Sequence, residues 1–348
     1  MTTPERRATS ADDALALAER AGIHRIEIPT PFLVGRVNCY LIEDEPLTLI
    51  DTGPNSGKSL DDLERALAAH GHGIEELGLI VLTHQHMDHI GLLEILARRS
   101  GAQVAAIHLL EPYLADFSRS AAADDEFAQA VMRRHGIPAD LATVVGALTA
   151  AFRAFGSSGR VTNPMADGED LELRDRKLTF VHRPGHSPSD TLLWDSDRGI
   201  LIAGDHLLAH ISSNPLVSRP LSPTQPPPTT GASEPRPRAL LQYMESMRAT
   251  REMPARLIMP GHGDPILDHG QLIDERLRMH RRRGERIHQI LDAGPLSAYE
   301  IAVRMWGNVA VTQAYLTLSE VLGHLDLLVS NDQAVEHDSD GLSVFEAT

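Results

Sequence analysis

The segment Thr83-His84-Gln85-His86-Met87-Asp88-His89 places three imidazoles and one carboxylate within six positions. It directly follows the apolar run Leu79-Ile80-Val81-Leu82, whose composition is typical of a buried strand. The histidines therefore lie at the carboxyl end of a strand, where open α/β sheets place their ligand sites. Neutral imidazole nitrogens and carboxylate oxygens are preferred ligands of Zn²⁺ and similar cations. The segment predicts a metal site at the edge of an α/β sheet.

Four further segments carry the same residue types, each after an apolar run or at a Pro-Gly turn. They are Leu49-Ile50-Asp51, Pro184-Gly185-His186, Ile202-Ala203-Gly204-Asp205 and Pro260-Gly261-His262. The spacing His-x-His-x-Asp-His, followed by these segments in this order, resembles the signature of the metallo-β-lactamase superfamily.

The resemblance implies a dinuclear metal site. One metal would be held by His84, His86 and His186, the other by Asp88, His89 and His262, and Asp205 would bridge both. Asp88 is also expected to orient the nucleophile, and Asp51 to hold the histidine loop rather than to bind metal. Two cations about 3.5 to 4 Å apart can share a water, lower its pKa and place hydroxide as the nucleophile. We expect two Zn²⁺ ions per chain, with iron or manganese as alternatives.

The composition is that of an ordinary globular chain. It has 348 residues, 42% hydrophobic and 23% charged, enough for one large domain and a small one. No run approaches the ~18 apolar residues that a membrane-spanning helix needs. The charged residues 1–13 lack the apolar region of a signal peptide, so we expect a cytoplasmic protein without membrane association. The single cysteine, Cys39, excludes an intramolecular disulfide and is expected to be a buried strand residue.

Strand and helix patterns occur in the same order in both halves of the chain. Residues 23–52 predict a meander of three strands, residues 56–70 a helix, and residues 77–82 the strand before the histidines. Short apolar runs return between residues 171 and 203. Two similar halves that face each other predict an α/β fold, a four-layer αββα sandwich with the metals at the sheet edge, which the resemblance also implies.

Two segments interrupt this order. Residues 108–158 show long helical patterns and predict an inserted helical segment that holds many of the chain's aromatic residues. These aromatics form either the insert's own core or the inner face of a lid that receives an acyl or other hydrophobic group. The proline-rich residues 212–234 predict a loop, either a mobile cover or a linker. We expect a catalytic domain over residues 1–266, followed by a linking helix and a winged-helix-like domain over residues 267–348.

The segment 267–348 predicts three helices and a hairpin, the pattern of a small winged-helix domain. The helices are an arginine-rich one over 267–293, a short one that a capping box at Ser297 and Glu300 opens, and one over 312–329. This pattern resembles superfamily members with such a domain, a group that includes glyoxalase II-like hydrolases and a β-lactamase-like endoribonuclease. The formal net charge is −16, and no lysine or arginine follows Arg304, so nucleic acid is not an expected partner. We expect a structural unit or a homodimer contact, and a solvated basic face on the arginine helix.

The predicted metal ligands favour a hydrolase that cleaves an ester, thioester or lactone of a small-molecule acyl substrate. A phosphodiesterase or endoribonuclease with the same metal site, a mononuclear iron persulfide dioxygenase and a non-catalytic metal-binding protein are the alternatives. Asp190 stands where glyoxalase-like relatives often carry a second histidine four residues after His186, which argues against glyoxalase II specificity itself. His182, His206 and His210 could support the ligands. Nine other histidines are expected to be solvated, namely His24, His70, His72, His135, His269, His280, His288, His324 and His337.

Overall fold

The computed structural model describes residues 10–221 and 236–348. Its strands are β1 (Ile23–Ile28), β2 (Val37–Ile42), β3 (Thr48–Ile50), β4 (Leu79–Val81), β5 (Gln103–Ile107), β6 (Asn163–Met165), β7 (Asp170–Glu172), β8 (Lys177–His182), β9 (Thr191–Asp195), β10 (Ile200–Gly204), β11 (Leu257–Pro260), β12 (Leu296–Ser297), β13 (Ala334–Ser339) and β14 (Leu342–Ala347). They form sheets of order β1-β2-β3-β4-β5-β6, β11-β10-β9-β8-β7 and β12-β14-β13.

The helices of the described residues lie mainly between and after these strands. They are α1 (Ala11–Arg20), α2 (Gly57–Ala69), α3 (Met87–Ile90), α4 (Leu93–Ser100), α5 (Leu110–Ala115), α6 (Phe117–Arg134), α7 (Ala139–Phe152), α8 (Ala239–Arg251), α9 (His269–Leu291), α10 (Ala298–Trp306), α11 (Val309–Thr312) and α12 (Ala314–Ser330). Within the described residues, no helix is both long enough and apolar enough to cross a membrane.

The two large sheets pack face to face, because their strands are apolar on both sides. In β2, Leu41 joins a cluster with Leu63 of α2 on the outer face of the first sheet. Its neighbour Tyr40 joins a second cluster, which also contains Phe180 of β8. On the outer face of the second sheet, Leu201 of β10 packs in a third cluster with α8 and α9. The order helices, sheet, sheet, helices confirms the predicted four-layer sandwich.

The helical insert comprises α5, α6 and α7. The helix α6 begins at Phe117, where the Asp116 side chain accepts a hydrogen bond from the backbone of Arg119 and caps the helix. The buried apolar side chains of the insert divide between two clusters. Phe117 packs behind the first sheet, whereas Phe127 packs with the C-terminal segment.

The C-terminal segment combines α10, α11 and α12 with the three-stranded sheet β12-β14-β13. The expected capping box is present, since Ser297 N donates to Glu300 Oε2 at 2.8 Å and Glu300 N donates to Ser297 Oγ at 3.3 Å. The helix expected over 312–329 corresponds to α12, which begins two residues later, after α11 ends at Thr312. Part of the expected proline-rich loop, residues 222–234, lies outside the described residues, and residues 212–221 have no regular secondary structure.

Candidate metal centre

The sequence-predicted site residues follow strands of both large sheets. Asp51 follows β3, and the His84 segment follows β4, which runs parallel to β3. Asp205 follows β10, and the loop of His262 follows the parallel strand β11. Because parallel strands end at the same edge of a sheet, each sheet brings its own pair together. His186 lies in the turn between β8 and β9.

One cluster contains His84, His86, His186 and Asp205. The Nδ1 atom of His86 lies 3.0 Å from Nε2 of His84 and 3.0 Å from Nε2 of His186. The Nε2 atom of His186 also lies 3.6 Å from Oδ2 of Asp205. The opposite ring nitrogens are held from outside, since Nδ1 of His84 contacts the Thr83 hydroxyl at 3.0 Å and Nδ1 of His186 contacts a main-chain carbonyl at 3.0 Å. These outer contacts aim the remaining nitrogens at one point.

A second cluster contains Asp88, His89 and His262. The Nε2 atom of His262 lies 3.4 Å from Oδ2 of Asp88 and 3.4 Å from Oδ2 of Asp205. The Nε2 atom of His89 lies 3.5 Å from Oδ1 of Asp205. Asp205 therefore touches both clusters. On the outer side, Nδ1 of His262 contacts the carbonyl of Arg36 at 2.7 Å.

The donor atoms of the two clusters suit a divalent metal. His89 Nε2, His262 Nε2 and Asp205 Oδ1 are buried and have no hydrogen-bond partner within residues 10–221 and 236–348. Buried polar atoms are almost always satisfied, so these three indicate a missing binding partner. Imidazole nitrogens and carboxylate oxygens are ligands of Zn²⁺ and related ions. The residues present could thus hold a metal ion in each cluster.

Charge differs between the two clusters. Burial, together with the neighbouring His186, lowers the pKa of His86 to about 3, so this ring stays neutral and can act as a ligand. Burial also opposes protonation of His262, but the carboxylates of Asp205 and Asp88 outweigh it and raise its pKa to about 10. The carboxylates therefore favour positive charge at the second cluster, which a metal cation would supply.

The chain approaches the clusters so closely that a side chain has no room at Gly261. A Cβ atom there would lie 2.2 Å from Oδ1 of Asp205 and 2.9 Å from Cε1 of His89. Two residues that the sequence reasoning missed hold this turn, because Asn38 Nδ2 and Tyr40 OH donate to the Pro260 carbonyl at 2.9 and 2.6 Å. Polar side chains within the apolar β2 segment were the available signal.

Asp190 takes part in the site without joining a cluster. It accepts hydrogen bonds from the backbone and the hydroxyl of Ser187 at 3.1 and 2.7 Å. It therefore fixes the turn that carries His186, and burial raises the pKa of its carboxyl group.

The histidines expected to be solvated include several that are not. His135, His269, His280 and His324 are buried, so that expectation was wrong for these four.

His182, His206 and His210 show no hydrogen bond to the clusters. His182 contacts the Pro188 carbonyl at 3.0 Å, and His206 contacts the Thr250 hydroxyl at 3.0 Å. His210 pairs with Asp264 at 3.0 Å. Their sequence proximity to the ligands therefore does not place them against the donor atoms.

A cavity of about 990 Å³ adjoins both clusters. His86, Asp88, His186 and Asp205 form part of its wall. Apolar side chains of the insert and of the C-terminal segment form much of the remaining wall, among them Phe117, Phe127, Met132, Trp306 and Leu316.

The arginine helix α9 contributes to the same cavity. Arg283 pairs with Glu320 of α12, and Arg276 donates to the carbonyls of Leu208, Ala209 and Ile211. Both arginines line the cavity, so the expectation of a purely solvated basic face was wrong for them.

The sequence model of the metallo-beta-lactamase superfamily matches residues 33–262 of this chain. The chain belongs to this superfamily, and the prediction of a metal-dependent hydrolase is confirmed at that level. A probable metallo-hydrolase of Bacillus subtilis, YqjP, is 30% identical over 93% of this chain and 97% of its own. The acyl-coenzyme A thioesterase MBLAC2 of Bos taurus is 31% identical over 49% of this chain and 58% of its own. The crystal structure of the family protein TTHA1429 from Thermus thermophilus superposes with a TM-score of 0.76 at 25% identity, over 94% of this chain and 99% of its own.

Proposed function

We propose that this chain is a dinuclear zinc hydrolase that cleaves the thioester or ester bond of a small-molecule acyl substrate. The observation that carries the proposal is the position of the cavity. Two histidine and aspartate clusters joined by Asp205 open directly into a largely apolar space of about 990 Å³. Apolar pockets with few polar groups at one end suit a substrate with an apolar body and a reactive head.

The ligand roles remain those expected from the sequence. His84, His86 and His186 would hold one ion, Asp88, His89 and His262 the other, and Asp205 would bridge them. Divalent ions bound there would supply a water of lowered pKa and polarise the scissile carbonyl. Asp88 faces the cavity, with Oδ2 close to Nε2 of His262, so this carboxylate can orient the attacking water and accept its proton.

A thioester is favoured over the other bonds by the similarity to a protein named acyl-coenzyme A thioesterase. Hydrolysis would convert the thioester and water into a carboxylate and a free thiol. The apolar side chains from the insert would bind the acyl chain, which makes the insert one wall of the substrate site. Mobility of that wall is not needed for this role.

The finer assignments belong to the same proposal. We infer a glyoxalase II-like branch in which residues 267–348 form a linking helix and a winged-helix-like unit. The helices α10 to α12 and the small sheet of β12, β14 and β13 support that unit. The acidic charge of this unit favours a structural role or a homodimer contact over nucleic acid binding.

The acyl site can be tested by reducing its volume. Ala128 of α6 lines the cavity, so Ala128→Phe should shorten the chain that fits. The control is Ala151→Phe on an exposed position of α7, which does not line the cavity. Thiol release from acetyl- to palmitoyl-coenzyme A would be measured with the metal-loaded enzyme.

We expect Ala128→Phe to lower kcat/KM roughly tenfold for the longest chains, equivalent to about 1.4 kcal/mol of lost binding. Short chains should change far less, and Ala151→Phe should behave like the unmodified protein. An equal loss for all chain lengths would reject the acyl site. Absence of thiol release from every thioester, with turnover of a phosphodiester instead, would reject the proposed reaction.

A further inference from the structure

A third group of metal-binding residues lies away from the centre described above. His24 of β1, Glu43 after β2 and His70 after α2 have ligand atoms within 4.8 Å of one another. The antiparallel register pairs Ile23 with Ile42 at one end and Ile28 with Val37 at the other. Val37 bridges to His262, so His24 lies at the opposite end of these strands, roughly 14 to 17 Å away at about 3.4 Å per residue.

The contact between His24 and Glu43 is not a hydrogen bond. The Nε2 atom of His24 lies 3.1 Å from Oε2 of Glu43. That nitrogen is nevertheless buried and has no hydrogen-bond partner within the described residues. Ligand atoms around a tetrahedral Zn²⁺ lie roughly 3.3 Å apart and point at the ion instead of at each other. His24 Nε2 and Glu43 Oε2 lie close together without the geometry of a hydrogen bond, and this is the arrangement that two ligands of one ion adopt.

His72 stands beside the same carboxylate. Its Nε2 atom lies 3.8 Å from Oε1 of Glu43, whereas its Nδ1 atom lies 3.7 Å from Oε1 of Glu76. Gly71, with a φ of +83°, lets the chain reverse direction between the two histidines. His72 is the candidate for a fourth ligand.

The surroundings favour a cation. His70 is the C-terminal cap of α2, where the helix dipole places partial negative charge. Burial and the neighbouring His24 lower the pKa of His70, so its ring is neutral at neutral pH and free to coordinate. Arg176, a nearby cation, is paired with Asp44 at 3.0 Å and does not oppose an ion here.

In a comparable cluster in the C-terminal segment, the carboxylate already has a cationic partner. His280 contacts His324 at 3.2 Å, His324 contacts the Glu320 carbonyl at 2.7 Å, and the Glu320 carboxylate pairs with Arg283. There the guanidinium already neutralises the carboxylate. At the group around His24, by contrast, the ion pairs of Glu43 among the described residues are with His24 and His72 and not with an arginine or lysine.

We propose that His24, Glu43 and His70 form a separate binding site for a divalent transition metal ion such as Zn²⁺, with His72 as the fourth ligand. The ion would join the start of β1, the end of β2 and the end of α2, and so stabilise this side of the first sheet. The site does not depend on the hydrolase reaction, and its test does not use activity.

The test compares zinc content per chain in the unmodified protein and in His24→Ala, Glu43→Gln and His70→Ala, after loading with Zn²⁺ and desalting. Glu43→Gln removes only the charge of a side chain that is partly exposed, so this variant should fold even if a histidine variant does not. The control is His337→Ala, which removes a surface histidine 3.6 Å from Glu346 that has no third ligand nearby among the described residues.

We expect each of the three variants to bind one ion fewer than the unmodified protein and His337→Ala to bind the same number. The thermal midpoint of the unmodified protein should also rise with Zn²⁺ by more than that of Glu43→Gln. Equal zinc content in the unmodified protein and Glu43→Gln would overturn the proposal. An equal loss in His337→Ala would overturn it as well, because the binding would then be non-specific.

Discussion

The Oδ2 atom of Asp51 lies 2.7 Å from Nδ1 of His89 and accepts a 2.8 Å hydrogen bond from the Thr83 hydroxyl. Its Oδ1 atom accepts from the backbone of Thr83 at 2.9 Å. Asp51 adopts a φ of 56°, which is uncommon for any residue except glycine. This one carboxylate therefore fixes the strand end that carries the histidines and turns Nε2 of His89 inward.

If Asp51 orients His89, then Asp51→Asn should weaken metal binding at the cluster of Asp88, His89 and His262. Loss of such an outer partner typically lowers metal affinity about 10- to 100-fold. Competition with a chromophoric chelator would measure it. Asp268→Asn is the control, because either residue can cap α9 and affinity should not change. Unchanged affinity in Asp51→Asn would show that this contact does not position the ligand.

The crowded turn at Gly261 gives a second expectation. Gly261→Ala would place a methyl group 2.2 Å from Oδ1 of Asp205. The expected result is loss of metal from the second cluster with circular dichroism largely unchanged. Gly57→Ala, where a methyl group meets nothing within 4 Å, is the matched control. Full metal content in Gly261→Ala would mean that the turn can shift, and that its close approach is not required.

The buried His135 should make stability depend on pH. Burial, with Arg236 and Arg134 nearby, lowers its pKa to about 3 in the folded chain, against 6.5 for an ordinary histidine. Below pH 6.5 the unfolded chain binds a proton that the folded chain does not, so the free energy of unfolding falls as pH decreases from 6.5 toward 3. At pH 5 this amounts to about 2 kcal/mol.

Urea unfolding at pH 8 and pH 5 would measure this loss. His135→Gln should reduce the difference between the two pH values by about the stated 2 kcal/mol, even if it lowers stability at both. His337→Gln, at a half-exposed position, should leave the difference unchanged. A pH dependence in His135→Gln identical to that of the unmodified protein would contradict the assignment.

The sheets and the donor clusters could be predicted because their signals are local. Short apolar runs that end in His or Asp placed Asp51, His84, Asp205 and His262 at strand ends, and the structure brings them together. The helix α2 was also evident from its apolar spacing, and in the structure Ser56 caps it. Such features depend on residues within a few positions of each other.

The remaining features depend on distant contacts. The cavity lies between the insert and the C-terminal segment, since Phe127 of α6 and Leu316 of α12 both line it, and no local pattern indicates that these two segments meet. The burial of His280 and His324 follows from α9 packing on α12, which single-helix periodicity does not specify. The group at His24 escaped notice for the same reason, since Glu43 and His70 come from different elements.

The central claim is that two ions share Asp205. Zinc content by elemental mass spectrometry tests it most directly, in the unmodified protein and in His262→Ala, each compared with the same protein carrying Glu43→Gln so that the separate site at His24 is subtracted. The exposed His210, which pairs with Asp264 at 3.0 Å, provides the control His210→Ala. With the His24 site removed, we expect about two ions in the Glu43→Gln protein and in its His210→Ala form, and about one ion in its His262→Ala form. Unchanged zinc content in the His262→Ala form would contradict the shared centre.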